Sequence, residues 1–139
     1  MTTDFLKVCY TRKSINESEG KQMTTFYWYP KCSTCKKAKI WLDENNIDYK
    51  MIDMIEEPPS KDLLIHWMEN NDYPIRRFFN TSGIRYREQG LKNLVGDFSQ
   101  EEASERLTVD GMLIKRPIMV VGDKVLLGFK EAEYEGLLL

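Results

Sequence analysis

Two cysteines three residues apart, Cys32 and Cys35, are the residues of this chain best suited to do chemistry. Cysteine attacks as its thiolate, and an ordinary thiol, with a pKa of about 8.5, is mostly protonated at neutral pH. The surrounding sequence supplies a means of lowering that value. TTFYWYP, residues 24–30, is β-branched and aromatic, stops at Pro30 and reads as a buried strand. CSTCKKAKIWLDENN then sets Ala38, Trp41 and Leu42 at helical spacing, with Lys36, Lys37 and Lys39 outside and Asn45-Asn46 as an end signal. Cys32 therefore falls at a helix N-terminus, where unpaired N–H groups and a partial charge of about +0.5 favour an anion. Lys31 and Lys36 add to the local positive field. Cys35, one helical turn further in, is placed to attack a mixed disulfide formed on Cys32, and burial there raises its pKa. Cys32 reads as nucleophile and Cys35 as resolving thiol.

Two blander readings stand beside this one. A zinc site needs four ligands, and beyond the pair only Cys9 and His66 remain, neither at suitable spacing. Alternatively both thiols are inert core residues, since free cysteine is often buried. Three cysteines cannot make a self-contained disulfide framework, so a close pair points to redox or metal chemistry. Cys9 receives no role, and His66, inside a helical stretch without a ligand partner nearby, reads as structural or exposed.

The elements that must position the pair follow along the chain. Ile47 to Ile55 gives a second strand closed by EEPPS, and Ser60 caps a helix through Asn70 with Leu64, Trp67 and Met68 on one face. Residues 73–115 hold helix signals and turns but no good strand, with Pro74 suited to a first helical turn and Ser99 with Glu102 forming a capping box. Ile118–Val121 and Val125–Leu127, joined by Gly122-Asp123-Lys124, make a hairpin, and a short amphipathic helix runs from Glu131 to Leu138. The order is βαβα, a helical block and then ββα. That predicts an α/β, thioredoxin-like fold with a four-stranded mixed sheet and a helical insertion at about 73–115.

The chain of 139 residues is long enough for one domain, expected over residues 23–139. Residues 1–22 are polar and without periodicity, and a second Met-Thr-Thr begins at Met23. They are expected to be a non-core leader from a misassigned start codon. Hydrophobic residues make up 42% and charged residues 30%, as in ordinary globular proteins, and the formal charge of −2 gives no reason to expect nucleic acid. Arg76, Arg77, Arg85 and Arg87 interleave with Phe78, Phe79 and Tyr86, but they read as solvated charges and core aromatics. No run approaches the roughly 18 apolar residues of a membrane span, and no secretory signal opens the chain, which makes the cytoplasm the default.

YPKCSTCKKAKIWLDENNIDY, with KRPIMVVGDKVLLGF later in the chain, resembles the ArsC/Spx family of arsenate-reductase-like thioredoxin folds, from Tyr27 to the C-terminus. The resemblance implies that Cys32 is the nucleophile, that Arg116 of the Arg-Pro step faces it, and that Pro117 is cis. A second family arginine, in a segment similar to YPIRRFFNTSGIRYREQGL, corresponds best to Arg76. Arg76 and Arg116 are then expected to hold an oxyanion and to stabilise the Cys32 thiolate.

Two positions depart from the true arsenate reductases, which often lack a cysteine at the place of Cys35 and carry a further arginine where this chain has Phe129. Both departures lean toward the Spx-like side, where a Cys-x-x-Cys senses oxidation and the protein binds the C-terminal domain of the RNA polymerase α subunit. The longer basic tail of those regulators is not matched here. The chain looks most like the short ArsC-like group of Gram-positive bacteria. The resulting expectation is a thiol-disulfide oxidoreductase without bound cofactor or metal, served by an external thiol reductant of the thioredoxin or glutathione/glutaredoxin type. Its alternative is a redox-sensing regulator of RNA polymerase.

Overall fold

The computed structural model describes residues 24–139. The expectation for the leader at 1–22, and Cys9 with it, lies outside the described residues. Four strands form one mixed sheet in the order β2-β1-β3-β4: β1 is Thr24–Trp28, β2 Lys50–Asp53, β3 Ile118–Val121 and β4 Lys124–Leu127. β1 runs parallel to β2 and antiparallel to β3, and β3 and β4 form the expected hairpin. The α/β, thioredoxin-like plan of the sequence is the plan observed.

Strand periodicity of two divides the core. Phe26 and Met119 face one side of the sheet, where α1 (Ser33–Glu44) and α5 (Glu131–Leu138) bring Ala38, Trp41, Leu42 and Tyr134. Tyr27 and Ile118 face the other, against α2 (Lys61–Asn70), whose Leu64, Trp67 and Met68 are buried as the spacing predicts. Tyr27 and Trp67 meet edge to face at 5.4 Å. Trp41 and Trp67 are buried core residues, whereas Trp28 is only half-buried.

The second strand is shorter than its alternation suggests. Asn46 takes a left-handed conformation, φ 57°, after α1, and the Asp53 carboxylate accepts the N–H groups of Ile55 and Glu56, turning the chain out of the sheet. The first strand likewise stops at Trp28, because the carbonyl of Tyr29 turns back to accept the Cys32 N–H at 3.0 Å.

The block at 73–115 is helical, with α3 (Ile84–Glu88), α4 (Gln100–Val109) and short 3-10 turns. Ser99 and Glu102 form the capping box that starts α4. One bridge, Phe79 to Ile114, ties the two ends of the block together. On the outer edge of β4, the Asn71 side chain accepts the Val125 N–H and donates to the Asp123 carbonyl, while the Tyr73 hydroxyl donates to the Val125 carbonyl. His66 is half-exposed and pairs with Asp123 at 2.8 Å, a surface role.

Gly111 brings the insert close against the chain leaving β2: a Cβ there would lie 2.5 Å from the Met54 carbonyl oxygen. Gly111→Ala is expected to destabilise the fold by about 1–3 kcal/mol, the range for overpacking a core. Urea denaturation of the two proteins measures it.

Candidate active site

Cys32 is the N-cap of α1, with extended backbone (φ −96°, ψ 121°), and its sulfur accepts the Cys35 N–H at 3.4 Å. Cysteine occupies the position usually held by Ser, Thr, Asp or Asn, so the sulfur takes up one of the helix's orphan donors. Cys32 is half-buried, and Cys35 beneath it is wholly buried; both are free thiols.

The second wall comes from the insert and the hairpin. Arg116–Pro117 is a cis peptide, and Pro117 is held at the start of the hairpin by its carbonyl accepting the Gly128 N–H at 2.8 Å. The Arg116 guanidinium lies over the Tyr29 ring, 5.1 Å from its centroid, and reaches toward the Met112 carbonyl at 3.5 Å. Arg116 lines the same cleft as Cys32, and its positive charge favours the Cys32 thiolate.

These contacts separate the two thiols electrostatically. Burial alone pushes Cys32 up, but the Cys35 thiol and N–H, and then Arg116 by hydrogen bond and charge, outweigh it and hold Cys32 below the usual thiol value. Burial pushes Cys35 up to about 12, opposed by the Tyr29 main chain and reinforced by the neighbouring Cys32. The cation beside Cys32 is thus Arg116; Lys31 and Lys36, expected to add to the field, are exposed on the turn and first turn of α1.

Cys32, Cys35 and Arg116 come together, and Arg76 does not join them. Arg76 is exposed on the 3-10 turn Ile75–Phe78 and does not line the cleft in front of Cys32, whereas its neighbour Arg77 does, resting over the Tyr73 ring at 5.1 Å. Phe78 must point into the core, and a 3-10 turn rotates each residue by a third of a circle. Adjacent arginines therefore leave in different directions, a distinction that linear spacing does not carry. Sequence reasoning also passed over Tyr29, whose only signal was an aromatic residue beside the cysteine turn, and Lys115, adjacent to Arg116. Phe129 lines the same cleft and packs on Tyr134 at 4.9 Å, so the wall where an arginine was the family expectation is apolar.

This geometry defines a thioredoxin-like domain with a dithiol at a helix N-terminus and a cis Arg116–Pro117 step whose arginine lines the same cleft. The ArsC family model matches residues 27–137, and the chain belongs to the ArsC family. It is 50% identical over 111 residues to the protein YusI of Bacillus subtilis, covering 80% of this chain and 94% of that one. A crystal structure described as a possible arsenate reductase from Streptococcus mutans is 47% identical, with a TM-score of 0.78, and covers 84% of this chain and 98% of that one. The global transcriptional regulator Spx of Lactiplantibacillus plantarum is 26% identical over 111 residues, covering 80% and 83%.

Because alkylation follows the thiolate fraction, Cys32 is expected to reach full reactivity at a pH below that of an ordinary thiol, while Cys35 stays unreactive until strongly alkaline pH. Arg116→Gln removes a contact that lowers the Cys32 pKa, so its profile shifts to higher pH. Iodoacetamide rates against pH, with the labelled cysteine assigned by mass spectrometry, check both.

Proposed function

We propose that this protein is a thiol-disulfide oxidoreductase in which Cys32 attacks and Cys35 resolves. The supporting observation is the opposed environment of the two sulfurs: one capping a helix beside Arg116, the other buried and held as a thiol. The Cys32 thiolate bonds to one sulfur of a substrate disulfide and expels the other as a thiolate. Cys35 then gives up its proton and attacks the Cys32 sulfur, releasing the second substrate thiolate and leaving a Cys32–Cys35 disulfide. Once Cys32 is tied up in the mixed disulfide its negative charge is gone, which removes one of the influences raising the Cys35 pKa. An external thiol reductant, of the thioredoxin or glutathione/glutaredoxin type, restores the dithiol in the cytoplasm.

Arsenate is a poorer candidate substrate, since Arg76 lies away from Cys32 and Phe129 faces the cleft. The decisive comparison is reduction of bis(2-hydroxyethyl) disulfide and of arsenate, each coupled to thioredoxin and to glutathione with glutaredoxin. The disulfide is expected to turn over. Cys32→Ser abolishes turnover, and Cys35→Ser accumulates a mixed disulfide on Cys32 visible by intact mass. No disulfide turnover with either donor defeats the reading.

A second reading is supported by the similarity to Spx: a redox-switched regulator that binds the RNA polymerase α C-terminal domain. Its test is capture of that domain by the reduced and by the oxidised protein, and failure in both states excludes it. The midpoint potential of the couple separates the two roles, about −270 mV suiting a reductant and a value well above about −200 mV a sensor.

A further inference from the structure

Cys32 opens into a cleft of about 730 Å³, inside the roughly 300–1,000 Å³ range of small-molecule sites. A tetrahedral oxyanion would fill only a small part of it. Five cationic side chains line this space, Arg77, Arg85, Lys115, Arg116 and Lys130, against one carboxylate, Glu88. The chain as a whole carries a formal charge of −2, so a cationic cleft is a local arrangement and not a reflection of composition.

Arg85 is occupied by Asp110 at 2.6 Å. Among the described residues, the other four cations make no ion pair. Arg116 is held over the Tyr29 ring and reaches the Met112 carbonyl, which leaves Arg77, Lys115 and Lys130, each from a different element. Two of these are held in place. Arg77 rests on Tyr73, and the Lys115 stem crosses Gly128, where a Cβ would meet its Cε at 3.2 Å. Both are half-buried and neither is ion-paired, so an anion entering the cleft can pair with them without displacing a carboxylate. Between the charges run the apolar side chains of Ile84, which is 62% exposed, Met112 and Phe129.

We propose that this cleft selects disulfides flanked by carboxylates, with Arg77, Lys115 and Lys130 as the specificity-determining residues; the proposal rests on the disulfide chemistry proposed for Cys32. The bond attacked lies at the Cys32 sulfur, the carboxylates pair with the three cations, and the aliphatic part of the substrate covers the apolar strip. Electrons move as in the uncharged case: the substrate disulfide is reduced to two thiols, the Cys32–Cys35 pair is oxidised, and the external thiol reductant returns it. The same chemistry is offered by a small dicarboxylate disulfide and by a cysteine within an acidic peptide.

The experiment uses the full chain with Cys35→Ser, which stops at the mixed disulfide, and follows adduct formation on Cys32 by mass. The small probes are dithiodipropionate, bis(2-hydroxyethyl) disulfide and cystamine; the peptide probes are matched disulfides flanked by Glu, Gln or Lys. Each rate is divided by that of the same disulfide with free mercaptoethanol, which cancels the leaving-group effect of neighbouring charge. The acidic probe of either set is expected to react about tenfold faster than the neutral one at low salt, within the range of electrostatic steering, and the basic probe more slowly. Added salt, and Arg77→Gln with Lys130→Gln, shrink the acidic preference several-fold, whereas Lys50→Gln, at an exposed position of β2 outside the cleft, leaves it unchanged. A preference in one set identifies the source. Equal normalised rates for all three charges in both sets, or a preference insensitive to the cleft substitutions, overturns the charge selection alone. No adduct with any probe overturns the disulfide chemistry and the selection with it.

Discussion

The hydrogen bond from the Cys35 N–H to the Cys32 sulfur organises the site. It makes Cys32 an N-cap, so the atom that takes up one of the orphan N–H donors of α1 is also the atom that reacts. It also requires the chain to turn sharply after β1, which the Tyr29 carbonyl achieves by accepting the Cys32 N–H. The same turn buries Cys35 completely and sets the Tyr29 ring under Arg116. One weak contact of this kind has consequences well beyond its own energy because α1 can begin in only one place.

Much of this was legible in the chain because it is local. The cap at Ser60, the capping box at Ser99 and Glu102, the hairpin around Gly122 and the last helix each rest on a few adjacent residues whose chemistry has one good solution. The position of Cys32 belongs to this class. The truncation of the second strand does not: Asp53 fits an alternating pattern as well as it fits the turn that its carboxylate makes. The placement of Arg76 is a sharper case. Sequence similarity aligned the correct segment, but whether residue 76 or 77 reaches the cleft depends on how a 3-10 turn is rotated by the burial of Phe78. Tyr29, Lys115 and Lys130 gain meaning only once the insert closes over the cysteine turn.

The insert gives this small domain its individuality. It supplies most of the wall that faces Cys32 across the cleft. The Cys32 sulfur looks across at residues of α3, of the turn before it and of the segment leading to β3. The hairpin contributes Phe129, which is packed on Tyr134, and the Tyr134 hydroxyl donates to the Gly128 carbonyl at 2.9 Å. The Phe129 part of the cleft wall is therefore apolar, while the charges lie on the insert and at the ends of the hairpin.

Asn71 has a meaning beyond the helix it follows. A side-chain amide carries a carbonyl acceptor and an N–H donor as a peptide group does, with a second N–H to spare, and Asn71 offers acceptor and donor to the main chain at β4. It therefore stands in for one residue of a fifth strand, with the Tyr73 hydroxyl completing the imitation at the Val125 carbonyl. A sheet edge finished in this way has no free main-chain partner at Val125 to template a neighbouring chain, so protection against edge-to-edge association is built from two neutral side chains rather than from charge or proline.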